Sequence, residues 1–136
     1  MNRWLFKTEP NEYSFQDLIK DKHTTWDGVK APGALKHMRS MKKGDQALIY
    51  HTDKEKAVVG TALVISDPYP DPEQENQNLL VIDVEAGEPL EIPVTLAEIK
   101  QSGLFSDWEL IKQPRLSIMP VSNKYWDTIR SWGKVN

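Results

Sequence analysis

The chain has 136 residues, a formal net charge of −3 and 39% hydrophobic residues, which is the composition of one globular domain able to bury a core. It contains no cysteine, and this excludes disulfides, thiolate metal sites and cysteine nucleophiles. No apolar run approaches the ~18 residues of a membrane-spanning helix, and the N-terminus lacks the pattern of a secretory signal. We therefore expect a single domain over residues 1–136, a cytoplasmic location and a monomer.

The predicted elements alternate between short strands and short helices. Residues 2–6 read as a strand, and the capping-box pattern at Ser14 predicts a helix over residues 14–20. A second helix begins near Pro32, because proline suits the first helical position. Four further strands are predicted at residues 46–51, 57–65, 79–85 and 90–94.

A proline-rich segment interrupts these strands. Residues 67–72 carry three prolines and can form neither a helix nor a central strand, because proline lacks a backbone donor and fixes its own φ. We expect a stiff, exposed loop with Tyr69 at its tip. The remaining elements are a helix over residues 95–102, a strand over residues 115–121 and a C-terminal helix capped by Ser122. This order favours an α+β fold: a small mixed β-barrel of about five or six strands with flanking short helices.

Charge is distributed unevenly along the chain. Residues 1–52 hold nine Lys/Arg against six Asp/Glu, and residues 110–136 hold five against one. Residues 53–109 hold three against thirteen. If the basic ends meet in the fold, the molecule has a basic face despite its acidic total, as binding to nucleic acid requires. Scattered basic residues on an otherwise solvated surface are the alternative that charge alone leaves open.

Three strand-like apolar runs end in an aromatic residue beside polar groups. Trp4–Phe6 leads into Lys7–Glu9, Trp26 leads into Asp27–Gly28, and Tyr50 is followed by His51 and Thr52. This pattern suits a pocket for a flat polar ring, whose faces need apolar walls and whose edge needs fixed donors and acceptors. A nucleobase is such a ring. Three core strands with ordinary loop ends are the alternative for each run taken alone.

Several polar side chains near these strand ends are candidates for ligand contact. Lys7 and Glu9 could orient one another or contact a ligand, with a surface ion pair as the alternative. His51 could donate to a base edge or a phosphate. Arg115 with Ser117 could clamp a phosphate or a carbonyl, or could instead tie loops together. No two of the three histidines stand at the helical spacing of metal ligands, so we expect no metal, and we expect no cofactor.

A basic segment follows the second of these runs. Residues 30–43 contain no acidic residue, and their cations are candidates for contacts with backbone phosphates. A solvated helix face is the alternative. The candidates are Lys30, Lys36, Arg39, Lys42 and Lys43.

The sequence resembles the EVE domain family over essentially its whole length. The resemblance is carried by Lys7-Thr8-Glu9-Pro10, Trp26-Asp27-Gly28-Val29 and Arg115-Leu116-Ser117, with Tyr50-His51-Thr52 and Tyr69-Pro70-Asp71-Pro72 between them in the family order. It implies a PUA-like fold, a small β-barrel with flanking helices that is related to YTH domains. It also implies binding of a modified base in DNA or RNA, with 5-methylcytosine and 5-hydroxymethylcytosine as the usual candidates.

The resemblance assigns roles residue by residue. A base turned out of its strand would lie against Trp26, and the other pocket residues would be Lys7, Glu9, Tyr50, His51, Thr52, Tyr69, Arg115 and Ser117. One segment departs from the family pattern, which commonly continues Trp-Asp-Gly-Val with a basic or small residue, an asparagine and, two positions later, a glutamine. Here the run is Lys30-Ala31-Pro32-Gly33, so both amides, natural readers of a base edge, are absent.

The sequence thus favours a non-catalytic reader of a modified nucleobase, and two other classes of function compete with it. A small hydrolase or base-processing enzyme would use Glu9 or His51 as general base, but no second acid or nucleophile stands at readable spacing. An interaction module would use the C-terminal helix through Trp126 and Trp132. These two lie six positions apart, not on one stripe, and burial of both would favour core packing.

Overall fold

The protein has an α+β fold in a computed structural model that describes residues 2–135. The strands are β1 (Arg3–Thr8), β2 (His23–Trp26), β3 (Gln46–His51), β4 (Ala57–Val64), β5 (Tyr69–Pro70), β6 (Leu80–Thr95) and β7 (Ile118–Pro120). The helices are α1 (Phe15–Asp21), α2 (Pro32–Arg39), α3 (Leu96–Ser102), α4 (Glu109–Lys112) and α5 (Asn123–Trp132). The α+β class and the short flanking helices are confirmed.

The strands form one mixed sheet in the order β2-β6-β4-β3-β1-β7, and β5 pairs with the start of β6. β1 and β3 run parallel, with Arg3 opposite Gln46 and Thr8 opposite His51, and the other pairs are antiparallel. Within residues 2–135, β2 and β7 stand at the two ends of the path and do not pair with each other. The predicted β-barrel of five or six strands is therefore wrong in its closure and its count, because the sheet is open and has seven strands.

Helix α2 explains why the sheet stays open. It packs against both β6 and β7 and buries Ala34, Leu35 and Met38. The helix covers apolar surface that strand pairing would cover in a closed barrel. In addition β7 has only three residues, which limits the ladder that it could form with another strand. The sheet is left with a gap between its two ends.

Strand β6 is longer than the sequence predicts. Two separate strands were expected, but one strand of 16 residues continues through Pro89. Proline is tolerated there because the pairing of β4 with β6 is irregular on both sides of Gly60, where Gly60 faces Pro89. A Cβ at Gly60 would collide with the ring of Phe15, so glycine here lets α1 pack closely on the sheet. The joined strands form one long, bent element.

The helix boundaries follow the local signals in the sequence. α1 begins after Ser14 and α3 after Thr95, and both have a complete capping box with Asp17 and Glu98 respectively. Ser122 caps α5 as predicted. The core includes buried side chains from β1, α1, α2, β3, β4 and β6. Within residues 2–135, no helix is long and apolar enough to cross a membrane.

Two of the predicted segments differ from the structure. The proline-rich segment is not an exposed loop throughout, because Tyr69 and Pro70 pair with Val81 and Leu80 at the start of β6. Proline can occupy an edge position, where its missing donor is not needed. The last strand is shorter than residues 115–121 and covers only Ile118–Pro120, because residues 113–116 form a turn closed by the hydrogen bond from the backbone N–H of Leu116 to the carbonyl of Gln113.

Candidate nucleic-acid interface

A cavity of about 470 Å³ lies between the C-terminal end of β1, the turn that follows it and strand β2. Its volume is within the range of small-molecule sites, about 300–1,000 Å³. The lining combines one indole with hydroxyl, carboxylate and ammonium groups. The lining residues are Lys7, Thr8, Glu9, Glu12, Tyr13, Thr24, Thr25, Trp26 and Asp27.

Trp26 is the aromatic wall of this cavity. It ends β2, pairs with Ile82 of β6, and leaves 9% of its surface exposed. Phe6 and Tyr13 pack edge-on against the indole, at ring-centroid distances of 5.1 Å and 6.3 Å. These contacts hold the indole in one orientation, because edge-to-face pairs favour a defined geometry. A planar ligand in the cavity would meet a fixed wall.

Lys7 connects the cavity to the loop before β7. Its backbone N–H donates to the carbonyl of Ser117 at 2.9 Å, and its Nζ donates to the carbonyl of Pro114 at 2.9 Å. Nζ also lies 5.7 Å from the centroid of the Tyr50 ring. Partial burial lowers the pKa of Lys7 from its usual value. The ammonium group is therefore positioned by a carbonyl and a ring rather than moving freely in solvent.

Three hydroxyl groups of the cavity donate within the protein. Thr8 Oγ1 donates to the carbonyl of Tyr13 at 2.6 Å, and the hydroxyl of Tyr13 donates to Asp21 Oδ2 at 2.8 Å. Desolvation and the Asp21 carboxylate raise the pKa of Tyr13. Thr25 Oγ1 donates to Asp83 Oδ1 at 2.9 Å. These bonds fix the walls and use the hydroxyl protons.

The carboxylates of the cavity differ from its hydroxyl groups in their hydrogen bonding. Glu9, Glu12 and Asp27 are exposed, and within residues 2–135 their carboxylates make no hydrogen bond or ion pair. Glu9 and Lys7 share the cavity but do not form the ion pair that sequence analysis offered as an alternative. The lining thus offers acceptors that no protein group occupies.

The end of β3 and the residue after it do not contribute to the lining of the cavity. Tyr50 is buried, and burial raises its pKa to about 12. The backbone N–H of Thr52 donates to the carbonyl of Thr8 at 3.0 Å, which extends the pairing of β1 with β3. Neither residue lines the cavity beside Trp26. Tyr50 pairs with Lys7 in the sheet, and Thr52 is bonded to Thr8, so both hold these two lining residues in place.

His51 has both ring nitrogens engaged in the interior. The backbone N–H of Phe15 donates to Nε2 at 2.9 Å, and Nδ1 lies 2.7 Å from Glu55 Oε1. Because Nε2 accepts, the proton is on Nδ1, which donates to Glu55. The residue is buried, with an exposed fraction of 3%. In this arrangement His51 joins β3 to the start of α1 and presents no nitrogen to the cavity.

Tyr69 lines a neighbouring cavity instead of the one beside Trp26. This second cavity of about 430 Å³ shares Thr24, Thr25 and Asp27 with the first. The Tyr69 hydroxyl donates to Asp83 Oδ1 at 2.8 Å, and this bond to a carboxylate raises the pKa of Tyr69. The two cavities adjoin along β2, and Tyr69 belongs to the second one alone.

Arg115 is exposed at a shallow depression next to the Pro114 carbonyl that holds Lys7. Ala31, Gln113 and Pro114 also line this depression. Ala31 is the residue before α2 and makes no side-chain cap. The segment that departs from the family pattern therefore lies beside the Arg115 loop, and none of its residues lines the cavity beside Trp26. Ser117 reaches that region through its backbone carbonyl.

The predicted phosphate contacts lie on α2 and on the loops at its two ends. Within residues 2–135, none of the five forms an ion pair with an acidic side chain, and each is at least partly open to solvent. The turn after α2 is held by Asp45, whose Oδ2 accepts from the backbone N–H of Lys42 and from Trp4 Nε1, each at 3.0 Å. The five cations are Lys30, Lys36, Arg39, Lys42 and Lys43.

Sequence reasoning found three of the nine lining residues, namely Lys7, Glu9 and Trp26. The six that it missed flank these three in the chain, on the segments around Trp26 and Glu9. The sequence does contain a signal for two of them, because Thr24 and Thr25 place hydroxyl groups directly before Trp26 in the chain. The missed residues are Thr8, Glu12, Tyr13, Thr24, Thr25 and Asp27.

The comparison with known families decides where this chain belongs. The family model described as EVE domain matches residues 2–132. The chain belongs to the EVE domain family. Thymocyte nuclear protein 1 of Homo sapiens is 28% identical to this EVE domain over 164 aligned residues, which cover 96% of this chain and 73% of the human protein. The same protein of Gallus gallus is also 28% identical, with 94% of this chain and 67% of the relative covered.

Solved structures share the fold of this EVE domain. A protein of Rhodopseudomonas palustris superposes with a TM-score of 0.93 at 34% identity, covering 98% of this chain and 94% of that one. Human THYN1 protein, solved in complex with 5-methylcytosine-containing DNA, superposes with a TM-score of 0.89 at 25% identity, covering 100% of this chain and 99% of that one. The α+β fold is therefore common to these proteins, and one of them binds methylated DNA.

Proposed function

We propose that this EVE domain is a non-catalytic module that binds nucleic acid containing a modified base of the 5-methylcytosine or 5-hydroxymethylcytosine type. The observation that carries the proposal is the cavity beside Trp26, where a fixed indole meets polar groups from β1 and β2. The complex of human THYN1 protein with 5-methylcytosine-containing DNA suggests the ligand class. The proposal covers both DNA and RNA, and the binding experiment below compares the two.

The base would enter the cavity after turning out of its strand. Extrusion costs a few kcal/mol, and stacking on an aromatic side chain returns about 1–3 kcal/mol. A methyl group that fills an apolar gap adds about 0.8 kcal/mol. These contributions nearly cancel, so the base alone does not give tight binding. The modified base supplies discrimination, and contacts elsewhere must supply most of the affinity.

Backbone phosphates would provide those contacts. The five cations between Lys30 and Lys43 carry no intramolecular ion pair within residues 2–135, so binding a phosphate breaks no existing ion pair. Lys7 lies in the lining of the cavity, and Arg115 lies in the depression next to it. Affinity that depends on such contacts falls with salt, because binding releases counterions from the nucleic acid. We expect weak and salt-sensitive binding.

A panel of short oligonucleotides tests the proposal. Single- and double-stranded DNA and RNA with one central cytosine, 5-methylcytosine or 5-hydroxymethylcytosine are titrated at two salt concentrations. We expect the modified bases to bind more tightly than cytosine, by roughly a factor of four for one buried methyl group. Trp26→Ala should abolish this ratio. Trp132→Ala, which removes an indole of α5 that does not line the cavity, is the matched control and should leave the ratio intact.

An unchanged ratio in a folded Trp26→Ala protein would remove the indole from the site, and equal binding of all three bases by the parent protein would refute the proposal. A base-processing enzyme predicts a different result, namely product formed over many turnovers and lost in Glu9→Gln. The placement of His51 does not favour such an enzyme, because both of its nitrogens are occupied by Phe15 and Glu55. The reader function is therefore the one we put forward.

A further inference from the structure

The hydrogen-bonding groups of the cavity beside Trp26 are not balanced between donors and acceptors. The hydroxyl protons of Thr8, Tyr13 and Thr25 are used by protein acceptors. The carboxylates make no hydrogen bond or ion pair to any described residue, and each offers up to four lone-pair sites. The ammonium donor is Lys7, whose Nζ has one of its three protons on the Pro114 carbonyl. A ligand that presents an N–H group to one of these carboxylates would therefore make a hydrogen bond that no described protein group makes.

Asp27 is the carboxylate best placed to meet that group. It follows Trp26 directly, so it leaves β2 at the edge of the indole. Gly28 has a φ of 75°, a left-handed value that glycine adopts without strain, and the chain turns there immediately after Asp27. Glu9 and Glu12 lie instead on the turn after β1, where the backbone N–H groups of Glu12 and Tyr13 donate to the carbonyl of Glu9. Asp27 is thus fixed to the same strand end as the aromatic wall.

We propose that Asp27 is the specificity determinant of the site and that it accepts a hydrogen bond from the exocyclic amino group of the bound base. This inference rests on the proposed function and adds to it the chemical edge that is read. A carboxylate accepts well from the N4 amino group of cytosine. Lys7, on the β1 side of the cavity, can donate to a carbonyl of the same base. The site would select an amino-bearing pyrimidine.

Thymine is the informative competitor, because it has the same ring and the same methyl group as 5-methylcytosine. It presents a carbonyl oxygen where 5-methylcytosine presents the amino group, so Asp27 would face a second acceptor. Two acceptors without a proton between them leave a desolvated carboxylate unpaired, which is costly. The wall and the methyl contact cannot separate these two bases. Only the edge can.

Two variants of Asp27 separate hydrogen bonding from charge. In Asp27→Asn the side-chain amide can turn its NH2 group toward the thymine oxygen, so discrimination between the bases should collapse. Asp27→Ala loses the same negative charge but has no hydrogen-bonding group, so its affinity for 5-methylcytosine should fall below that of Asp27→Asn, and its preference for 5-methylcytosine over thymine should also fall. Glu73→Gln is the matched control, because Glu73 is an exposed acid of the adjoining cavity and does not line the one beside Trp26. Loss of a negative charge alone strengthens binding of all oligonucleotides alike and cancels in the ratio.

The experiment measures dissociation constants for a single-stranded oligonucleotide with one central 5-methylcytosine, cytosine or thymine. The parent protein and Glu73→Gln should prefer 5-methylcytosine by about tenfold, and Asp27→Asn should bring the ratio near one. An unchanged ratio in Asp27→Asn overturns the role of Asp27. If that ratio is unchanged while the parent protein prefers 5-methylcytosine over cytosine, the proposed function stands and this inference fails. Equal affinity of the parent protein for 5-methylcytosine and thymine likewise overturns this inference alone, whereas equal affinity for 5-methylcytosine and cytosine overturns the proposed function and this inference with it.

Discussion

The protein contains two aromatic clusters that differ in what surrounds them. In the first, Phe6, Tyr13 and Trp26 pack edge-on at one side of an open cavity. In the second, Phe105 contacts Trp108, Tyr125 and Trp132, with ring centroids 4.9–5.6 Å apart. We call them the Trp26 cluster and the Phe105 cluster. Both use the same residue types, so aromatic content alone does not separate a site from a core.

The polar groups around the rings make the difference. In the Phe105 cluster the indole nitrogen of Trp108 donates to the carbonyl of Pro120 at 3.0 Å, and Phe105 and Trp108 are almost fully buried. Next to Trp26, by contrast, Asp27 carries a carboxylate with no partner among the described residues. A buried polar group normally finds its partner within the protein. The two clusters therefore differ in that Asp27 is exposed and open to a ligand, whereas the indole nitrogen of Trp108 is already paired within the protein.

The same comparison bears on the proposal of an interaction module on α5. Trp126 is buried, and Arg3 lies 5.0 Å from the centroid of its ring. Trp132 is half-buried and packs edge-on against Phe105 at 5.6 Å. The two indoles therefore belong to the packing of α5 against the rest of the domain. They do not form an apolar face that awaits a partner.

The largest expected effect is a difference in stability between truncations of the two clusters. Phe105→Ala leaves a closed void and should lower the free energy of unfolding by about 3–5 kcal/mol. Trp26→Ala should cost less, because the space it leaves joins a cavity already open to water. Urea unfolding of both variants measures the difference. A loss in Trp26→Ala equal to that in Phe105→Ala would mean that Trp26 is a core residue like any other.

The next effect concerns the support beneath the Trp26 cluster. His51→Phe removes the acceptor for the backbone N–H of Phe15 and should cost about 1–3 kcal/mol of stability, because a buried donor is left unpaired. His51→Gln retains an acceptor and should recover part of this loss. Chemical denaturation gives both values. Since His51 does not line the cavity, the preference for the modified base should survive in both variants. Loss of that preference in His51→Gln would show that His51 takes part in base binding.

The two capping boxes provide a matched pair, one near each cluster. Ser14→Ala removes the cap of α1 next to Tyr13, and Thr95→Ala removes the cap of α3, the helix that leads toward Phe105. Each should lower the free energy of unfolding by about 1 kcal/mol. Only Ser14→Ala should also weaken oligonucleotide binding, because Tyr13 lines the cavity. Thermal unfolding and titration distinguish the two, and equal effects on binding would contradict the assignment of the cavity.

The parts of this fold that sequence predicts are those with local causes. The caps at Ser14 and Thr95 depend on residues three positions apart, and β3 has the predicted bounds, Gln46–His51. The two expected strands join into β6 because Gly60, on another strand, accommodates Pro89. Barrel closure was wrong because the position of α2 against β6 and β7 depends on tertiary packing.

The residues of the candidate site also divide into those that the local sequence predicts and those whose place depends on tertiary packing. Trp26 and Lys7 were found because each stands at the end of an apolar run, which a sequence displays directly. Tyr13 was missed as a lining residue, because its place beside Trp26 follows from the docking of α1. The role of His51 depends on the backbone N–H of Phe15, 36 positions away in the chain. No pattern of neighbours in sequence reveals such a partner.

The smallest expected effect separates the basic segment over residues 30–43 from cations elsewhere. The double variant Lys42→Gln/Lys43→Gln should weaken binding of all oligonucleotides alike and reduce the slope of log affinity against log salt by about 0.7–0.9 for each phosphate that the variant no longer neutralises. The control, Lys100→Gln/Lys124→Gln, removes two exposed charges from α3 and α5 and should leave the slope unchanged. Titrations at several salt concentrations give both slopes. If both double variants lower the slope equally, the nucleic acid responds to total charge rather than to a basic surface, and the segment from Lys30 to Lys43 has no special part in binding.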